Sequence, residues 1–139
     1  MNKLISEIIQ QYSGSYLDKD LAVITVSGKD NKKFLQGQLT NDVMGLDSKN
    51  YILSSYCTHQ GKVIANLQVM LTEENVLILL PKDIVPLFIE KISKYVLMSD
   101  VKFVHQSEIK ILSIVGSEAK KVLTREEITD RGTYKKINE

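Results

Sequence analysis

The spacing of hydrophobic positions changes several times along the chain. Leu4, Ile5, Ile8, Ile9 and Tyr12 recur at helical intervals, which predicts an amphipathic helix over 2–12 that Ser13-Gly14-Ser15 stops. Leu21 to Ser27 (LAVITVS) is apolar and β-branched, the signature of a mostly buried strand. Gly28 breaks it, and Asp30 is a candidate N-cap for a short helix through Phe34 and Leu35 to Gln38. A polar knot, Thr40-Asn41-Asp42, leads into a loop through Gly45 and Asp47. Tyr51 to Cys57 and Lys62 to Thr72 read as strands joined by Thr58-His59-Gln60-Gly61, a turn whose glycine supplies a positive φ. Glu73-Glu74-Asn75 turns the chain into a third strand, Val76 to Leu80. A helix opens at Pro81 to Asp83, with Asp83 as N-cap and Pro86 in the first turn, where a missing N–H costs little. Val85, Phe88, Ile89, Ile92 and Val96 line one face of it. Val101 to Val104 and Ile109 to Val115 read as further strands, and Ser117 caps a last short helix through Val122. Beyond Leu123 the chain turns polar.

Adjacent strands joined by short turns, with helices interspersed, predict an α+β fold: an antiparallel sheet with flanking helices, not a doubly wound parallel one. No internal repeat or linker interrupts the 139 residues. With 43% hydrophobic and 25% charged residues, the composition is that of a globular domain with a core of its own.

The net charge of +1 gives no electrostatic footprint for direct nucleic-acid or membrane binding, and no apolar run approaches the roughly 20 residues that span a bilayer. Of the 18 basic residues only Arg125 and Arg131 are arginines, so bidentate anion recognition has few candidates. Cys57 is the single cysteine, which rules out an intrachain disulfide and points to a cytoplasmic protein. It cannot complete a four-ligand zinc site with His59 and His105, so no metal is expected. The two histidines read as an exposed turn residue and a strand-end residue, and Cys57 as a small buried hydrophobe. Dinucleotide, Walker, zincin and nucleophile-elbow motifs are all missing. No catalytic residue is expected.

Three segments carry a resemblance. Val26-Ser27-Gly28-x-Asp30 followed by Phe34-Leu35-Gln36-Gly37-Gln38-Leu39-Thr40-Asn41-Asp42-Val43 resembles the opening signature of the YgfZ family, a distant relation of the glycine cleavage T-protein. Tyr56-Cys57-Thr58-His59-Gln60-Gly61-Lys62 and the strand after it resemble that family's C-x-x-x-G-K turn. Lys94-Tyr95-Val96-Leu97-Met98-Ser99-Asp100-Val101 is similar to its helix-end passage. The likeness runs over roughly 20–122. It implies a folate-binding (T-protein-like) domain, incomplete at the C-terminus: 1–122 as its first part, and 123–139 as a polar tail or the start of a second half. It also implies tetrahydrofolate as cofactor and a role in iron–sulfur protein maturation, including enzymes that modify tRNA.

Two departures qualify the resemblance. Where the T-protein carries an Asp-Asp pair this chain has Ala65 and Asn66, and an amide cannot exchange a proton as a carboxylate does. The family's later K-G-C-Y-x-G-Q-E segment is not in the chain, so a shortened or split gene product is expected, with the missing half supplied elsewhere. Folate binding survives these changes better than aminomethyl transfer does.

Within the long strand, Val63, Ala65, Leu67, Val69 and Leu71 alternate with Ile64, Asn66, Gln68 and Met70. The first set reads as the core face. The second is either a solvated sheet face or one wall of a ligand cleft; on the family resemblance Asn66 and Gln68 bind the pterin, and Lys62 attracts folate carboxylates. Gln36, Gln38, Thr40, Asn41 and Asp42 fit structural roles at turns. Three functions follow: a folate-binding module, an aminomethyltransferase of the T-protein class, or a ligand-free interaction module. The resemblance implies folate and iron–sulfur enzymes as partners, and a second copy of the chain is expected because an incomplete domain leaves sheet edges that invite pairing.

Overall fold

The computed structural model of the protein describes residues 14–116, together with Ala119 and Lys121. The helix expected over 2–12 lies outside these residues, as does most of that expected over 117–122. The elements in chain order are β1 (Gly14–Asp18), β2 (Leu21–Ser27), α1 (Asn31–Gln36), β3 (Ile52–Cys57), β4 (Val63–Leu71), β5 (Val76–Pro81), a 3-10 turn (Lys82–Ile84), α2 (Val85–Ser93), β6 (Lys102–His105) and β7 (Ile111–Val115).

The chain forms two compact units, Met1–Asp18 with Lys110–Glu139, and Lys19–Ile109. In the first unit β1 pairs antiparallel with β7, Gly14 opposite Val115 and Asp18 opposite Ile111. β1 has no counterpart among the expected strands. Its Tyr16 and Leu17 are both more than half exposed, so no buried alternation betrays it in the sequence.

The second unit is a five-stranded sheet in the order β3-β4-β5-β2-β6, every neighbouring pair antiparallel. This is the α+β antiparallel architecture the pattern predicts. Alternate residues of each strand enter one core: Ala22, Ile24 and Val26 from β2, Ala65, Leu67 and Val69 from β4, Val76, Ile78 and Leu80 from β5. Phe34 and Leu35 of α1 join that core, as do Val85, Phe88 and Ile92 of α2. Fully burying such a side chain contributes about 1.5–3 kcal/mol. Edge-to-face ring contacts run from Tyr56 to Phe88 (5.4 Å), Phe88 to Phe103 (6.2 Å) and Phe103 to Phe34 (6.0 Å), tying α2 to both edge strands and α1 to β6.

Three local expectations are corrected. Val63 is 57% exposed instead of buried, because the β3–β4 register jumps from Tyr56↔Ala65 to Cys57↔Val63. The extra residue, Ile64, packs against the core in its place. Asp30 precedes α1 but its side chain makes no cap hydrogen bond; its Oδ2 accepts the Asp100 N–H at 2.9 Å, while the Asp30 N–H donates to the Asp100 carbonyl at 3.2 Å. Asp83 falls inside the 3-10 turn, and Ile84 occupies the N-cap of α2.

The Asp30–Asp100 exchange locks the end of β2 to the segment before β6. Gly28 makes it possible: its φ is +104°, and a Cβ there would run into the Asp100 carbonyl oxygen. Gly28→Ala is therefore expected to cost on the order of 2–4 kcal/mol in urea unfolding. Burial, and then the nearby Tyr95, push the Tyr56 hydroxyl above its ordinary value of 10.0. The folded state thus holds this proton longer than the unfolded chain does. Its contribution to stability is intact below pH 10 and lost as the pH rises above it. Unfolding measured across that range should show the loss in the wild-type chain and a smaller one in Tyr56→Phe.

Candidate functional site

Most polar residues of the first signature segment are engaged in holding the backbone. Gln36 Oε1 accepts the N–H groups of Val43 (2.7 Å) and Met44 (3.0 Å), and Asp42 Oδ1 accepts those of Met44 and Gly45. Thr40 and Asn41 act as a substitute strand along the outer edge of β3. The Thr40 N–H donates to the Ser55 carbonyl, Thr40 Oγ1 accepts the Ser55 N–H, and Asn41 Nδ2 donates to the Leu53 carbonyl at 2.8 Å. That edge is thereby closed to pairing with another strand. Asn31, buried at the start of α1, donates to the carbonyls of Val26 and Glu74. Gln38 stands apart: with Asp30, Lys33, Phe34, Tyr95, Met98 and Ser99 it lines a depression of about 430 Å³.

The second signature segment forms the turn into β4. Gly61 takes the expected positive φ of 79°, and the Thr58 N–H donates to the Lys62 carbonyl at 2.8 Å. His59, expected as a plain turn residue, hydrogen-bonds Tyr95 Oη through Nε2 at 2.6 Å and so connects this turn to the third signature segment. Cys57 is half-buried and unpaired.

Asn66 and Gln68 lie together on the sheet face opposite the helices. The register sets Leu53 beside Gln68, Gln68 beside Leu79, and Leu21 beside Pro81. These residues line a shallow slot of about 160 Å³. Its floor is aliphatic and its only polar side chains among the described residues are the two amides; none of its lining residues is ionisable. Asn66 Oδ1 accepts from Ser55 Oγ at 2.7 Å, which orients the amide and leaves Nδ2 to donate. Ala65, the neighbouring position of the expected carboxylate pair, faces the core and is 4% exposed. Lys62 does not line the slot. It lies four residues along the chain from Asn66, roughly 13 Å at strand spacing.

A larger depression of about 500 Å³ adjoins the slot through Pro81 and is lined by Lys19, Asp20, Pro81, Lys82 and Asp83. Sequence reasoning did not find Leu21, Leu79 or Pro81 as slot residues, because only strand register brings them beside β4. Elsewhere in this unit, Lys94 pairs with Glu90 at 2.8 Å, holding its carboxyl below the usual range. Hydrogen bonds from Lys49 and Asn50 do the same for Asp47. Among the described residues no cluster of histidine, cysteine and carboxylate side chains is placed to hold a metal ion. No helix there is long and apolar enough to cross a membrane.

No family model matches the chain. It is 35% identical over 102 residues to the tRNA-modifying protein YgfZ of Buchnera aphidicola, covering 73% of this chain and 32% of that protein. The YgfZ of Yersinia enterocolitica is 30% identical over 104 residues, 75% of this chain and again 32% of the relative. The chain thus spans about a third of the length of the curated relatives it matches. The crystal structure of the glycine cleavage system aminomethyltransferase T from Bartonella henselae superposes with a TM-score of 0.75 over 91% of this chain and 36% of its own, at 16% identity. That similarity is one of fold. An antiparallel unit with its helices on one face, homologous to YgfZ over three-quarters of the chain, identifies the protein as a relative of the YgfZ family, matching about a third of a YgfZ protein and sharing the fold of the T-protein aminomethyltransferases.

Proposed function

We propose that this chain is the pterin-recognising wall of a folate-binding protein of the YgfZ type. It works in the cytoplasm in the maturation of iron–sulfur proteins, including enzymes that modify tRNA, and it binds tetrahydrofolate without turning it over. One observation carries the reading: Asn66 and Gln68 stand side by side at an aliphatic slot with no ionisable lining residue. A planar heterocycle with alternating donors and acceptors suits such a slot, its faces against Leu21, Leu53 and Leu79 and its edge on the amides. At about 160 Å³ the slot holds a ring system and not a whole folate, since pockets for ligands of that size run to about 300–1,000 Å³.

Aminomethyl transfer of the T-protein kind is the weaker reading. Ala65 is turned into the core and Asn66 cannot exchange a proton, so the slot lacks the carboxylate that acid–base chemistry at a folate nitrogen requires. The third reading, a self-pairing module without ligand, rests on the sheet edges. The β3 edge is closed by Thr40 and Asn41, which leaves β6 as the edge for a second copy or for an iron–sulfur client.

Calorimetric titration of the chain with tetrahydrofolate and its 5-formyl derivative tests the proposal. Binding is expected, weakened about three- to tenfold in Asn66→Ala, the loss of one or two net hydrogen bonds. Absence of binding to both variants would remove the pterin reading and leave the self-pairing one.

A further inference from the structure

The depression that Gln38 helps to line lies where α1 meets the segment between α2 and β6, and it shares no lining residue with the slot. The three segments that resemble YgfZ converge on it. Asp30, Phe34 and Gln38 come from the first, Tyr95, Met98 and Ser99 from the third, and His59 of the second holds Tyr95 in the wall. Hydrogen-bonding capacity there is one-sided. Asp30 Oδ2 accepts the Asp100 N–H, and Tyr95 Oη is engaged with His59 Nε2. The Lys33 ammonium, the Gln38 amide and the Ser99 hydroxyl make no hydrogen bond or ion pair among the described residues, nor does the ammonium of Lys29 beside Asp30. Such a wall offers donors and suits an acceptor-rich group, a carboxylate above all. Next to these donors stand Leu97 and Met98, 86% and 99% exposed. Their backbone is held in place: the Val96 N–H donates to the Ser93 carbonyl at 3.1 Å, the Leu97 N–H to that of Tyr95 at 3.0 Å and the Val101 N–H to that of Ser99 at 3.0 Å. Val96 between them packs against the core. Two apolar side chains are thus presented to solvent from an ordered turn, beside a recess with spare donors.

We infer that this surface docks an acidic segment of a partner protein, independently of the pterin reading of the slot. A carboxylate side chain of the segment enters the depression of about 430 Å³ onto Lys33, Gln38 and Ser99, and an apolar neighbour in the same segment covers Leu97 and Met98. A methionine suits such a face, because its unbranched thioether adapts to the shape laid on it. Ordered beforehand by its backbone bonds and by the His59–Tyr95 contact, the surface loses little freedom when it is covered. A free carboxylate would use the donors but leave both apolar side chains bare. A nucleic-acid backbone would meet those apolar side chains and the carboxylates of Asp30 and Asp100 instead of a run of cations.

Fluorescence anisotropy on the full chain tests this with a labelled acidic peptide, acetyl-Gly-Glu-Glu-Leu-Phe-Glu-Glu-Gly-amide, its counterpart with glutamine at every glutamate, and a labelled uridine decamer. Unlabelled glutarate serves as competitor. The acidic peptide should bind about tenfold more tightly than the glutamine peptide at low salt, and the gap should narrow at high salt. K33Q should close most of that gap, and M98Q should weaken both peptides about three- to tenfold. Both side chains are exposed, so the urea midpoint should not move in either variant. No binding of the acidic peptide, equal binding of the two peptides, or binding unaltered in K33Q and M98Q would overturn the assignment. Displacement by glutarate at concentrations equal to the peptide would make this a site for small carboxylates, and tighter binding of the uridine decamer a nucleic-acid site. Either result also overturns the docking of an acidic protein segment.

Discussion

Both helices of the 19–109 unit pack on the same face of its sheet, and the chain of rings from Tyr56 through Phe88 and Phe103 to Phe34 holds them there. Because strand side chains alternate, this fixes the duty of half the residues in β2, β4 and β5 to core packing and releases the other half. β4 shows the consequence most plainly: Ala65, Leu67 and Val69 are buried under the helices, while Asn66 and Gln68 between them are turned to the opposite face. A shift of one residue in the β4 register would exchange the two sets and destroy core and slot together. Fold and candidate chemistry are thus two outcomes of one alternation.

The segments that resemble YgfZ divide along the same line. Gly28, Asp30 and Asp100 join two loops, Gln36 and Asp42 satisfy a turn, and Thr40 and Asn41 seal the β3 edge. Their resemblance is to a scaffold. The residues that face the slot belong to stretches with little sequence individuality, such as Leu21, Leu79 and Pro81. The fold shared with the T-protein aminomethyltransferase is a likeness of that scaffold.

Legibility in the sequence followed the range of the interactions involved. β2 is found at its predicted bounds, and β3, β4 and β5 within a residue of theirs, because β-branched runs between glycine and polar turns are local signals. β1 escaped because its side chains are mostly exposed, and Ile64 because a bulge is a property of the pair of strands. The capping role given to Asp30 went instead to a partner 70 residues away, at Asp100. Asn66 and Gln68 were legible as a semi-polar face through alternation alone. The aliphatic floor beneath them was not, since it is assembled by strand order.

The central claim is that the two amides on the uncovered face meet a pterin. The most direct measurement is the side-chain amide spectrum of the chain, recorded by nuclear magnetic resonance while a reduced pterin is titrated in. The NH2 signals of Asn66 and Gln68 should move together and exchange more slowly with water, while those of Gln36 and Asn41, already engaged with the backbone, stay in place. Unmoved Asn66 and Gln68 signals at saturating pterin, or shifts confined to another surface, would contradict the account.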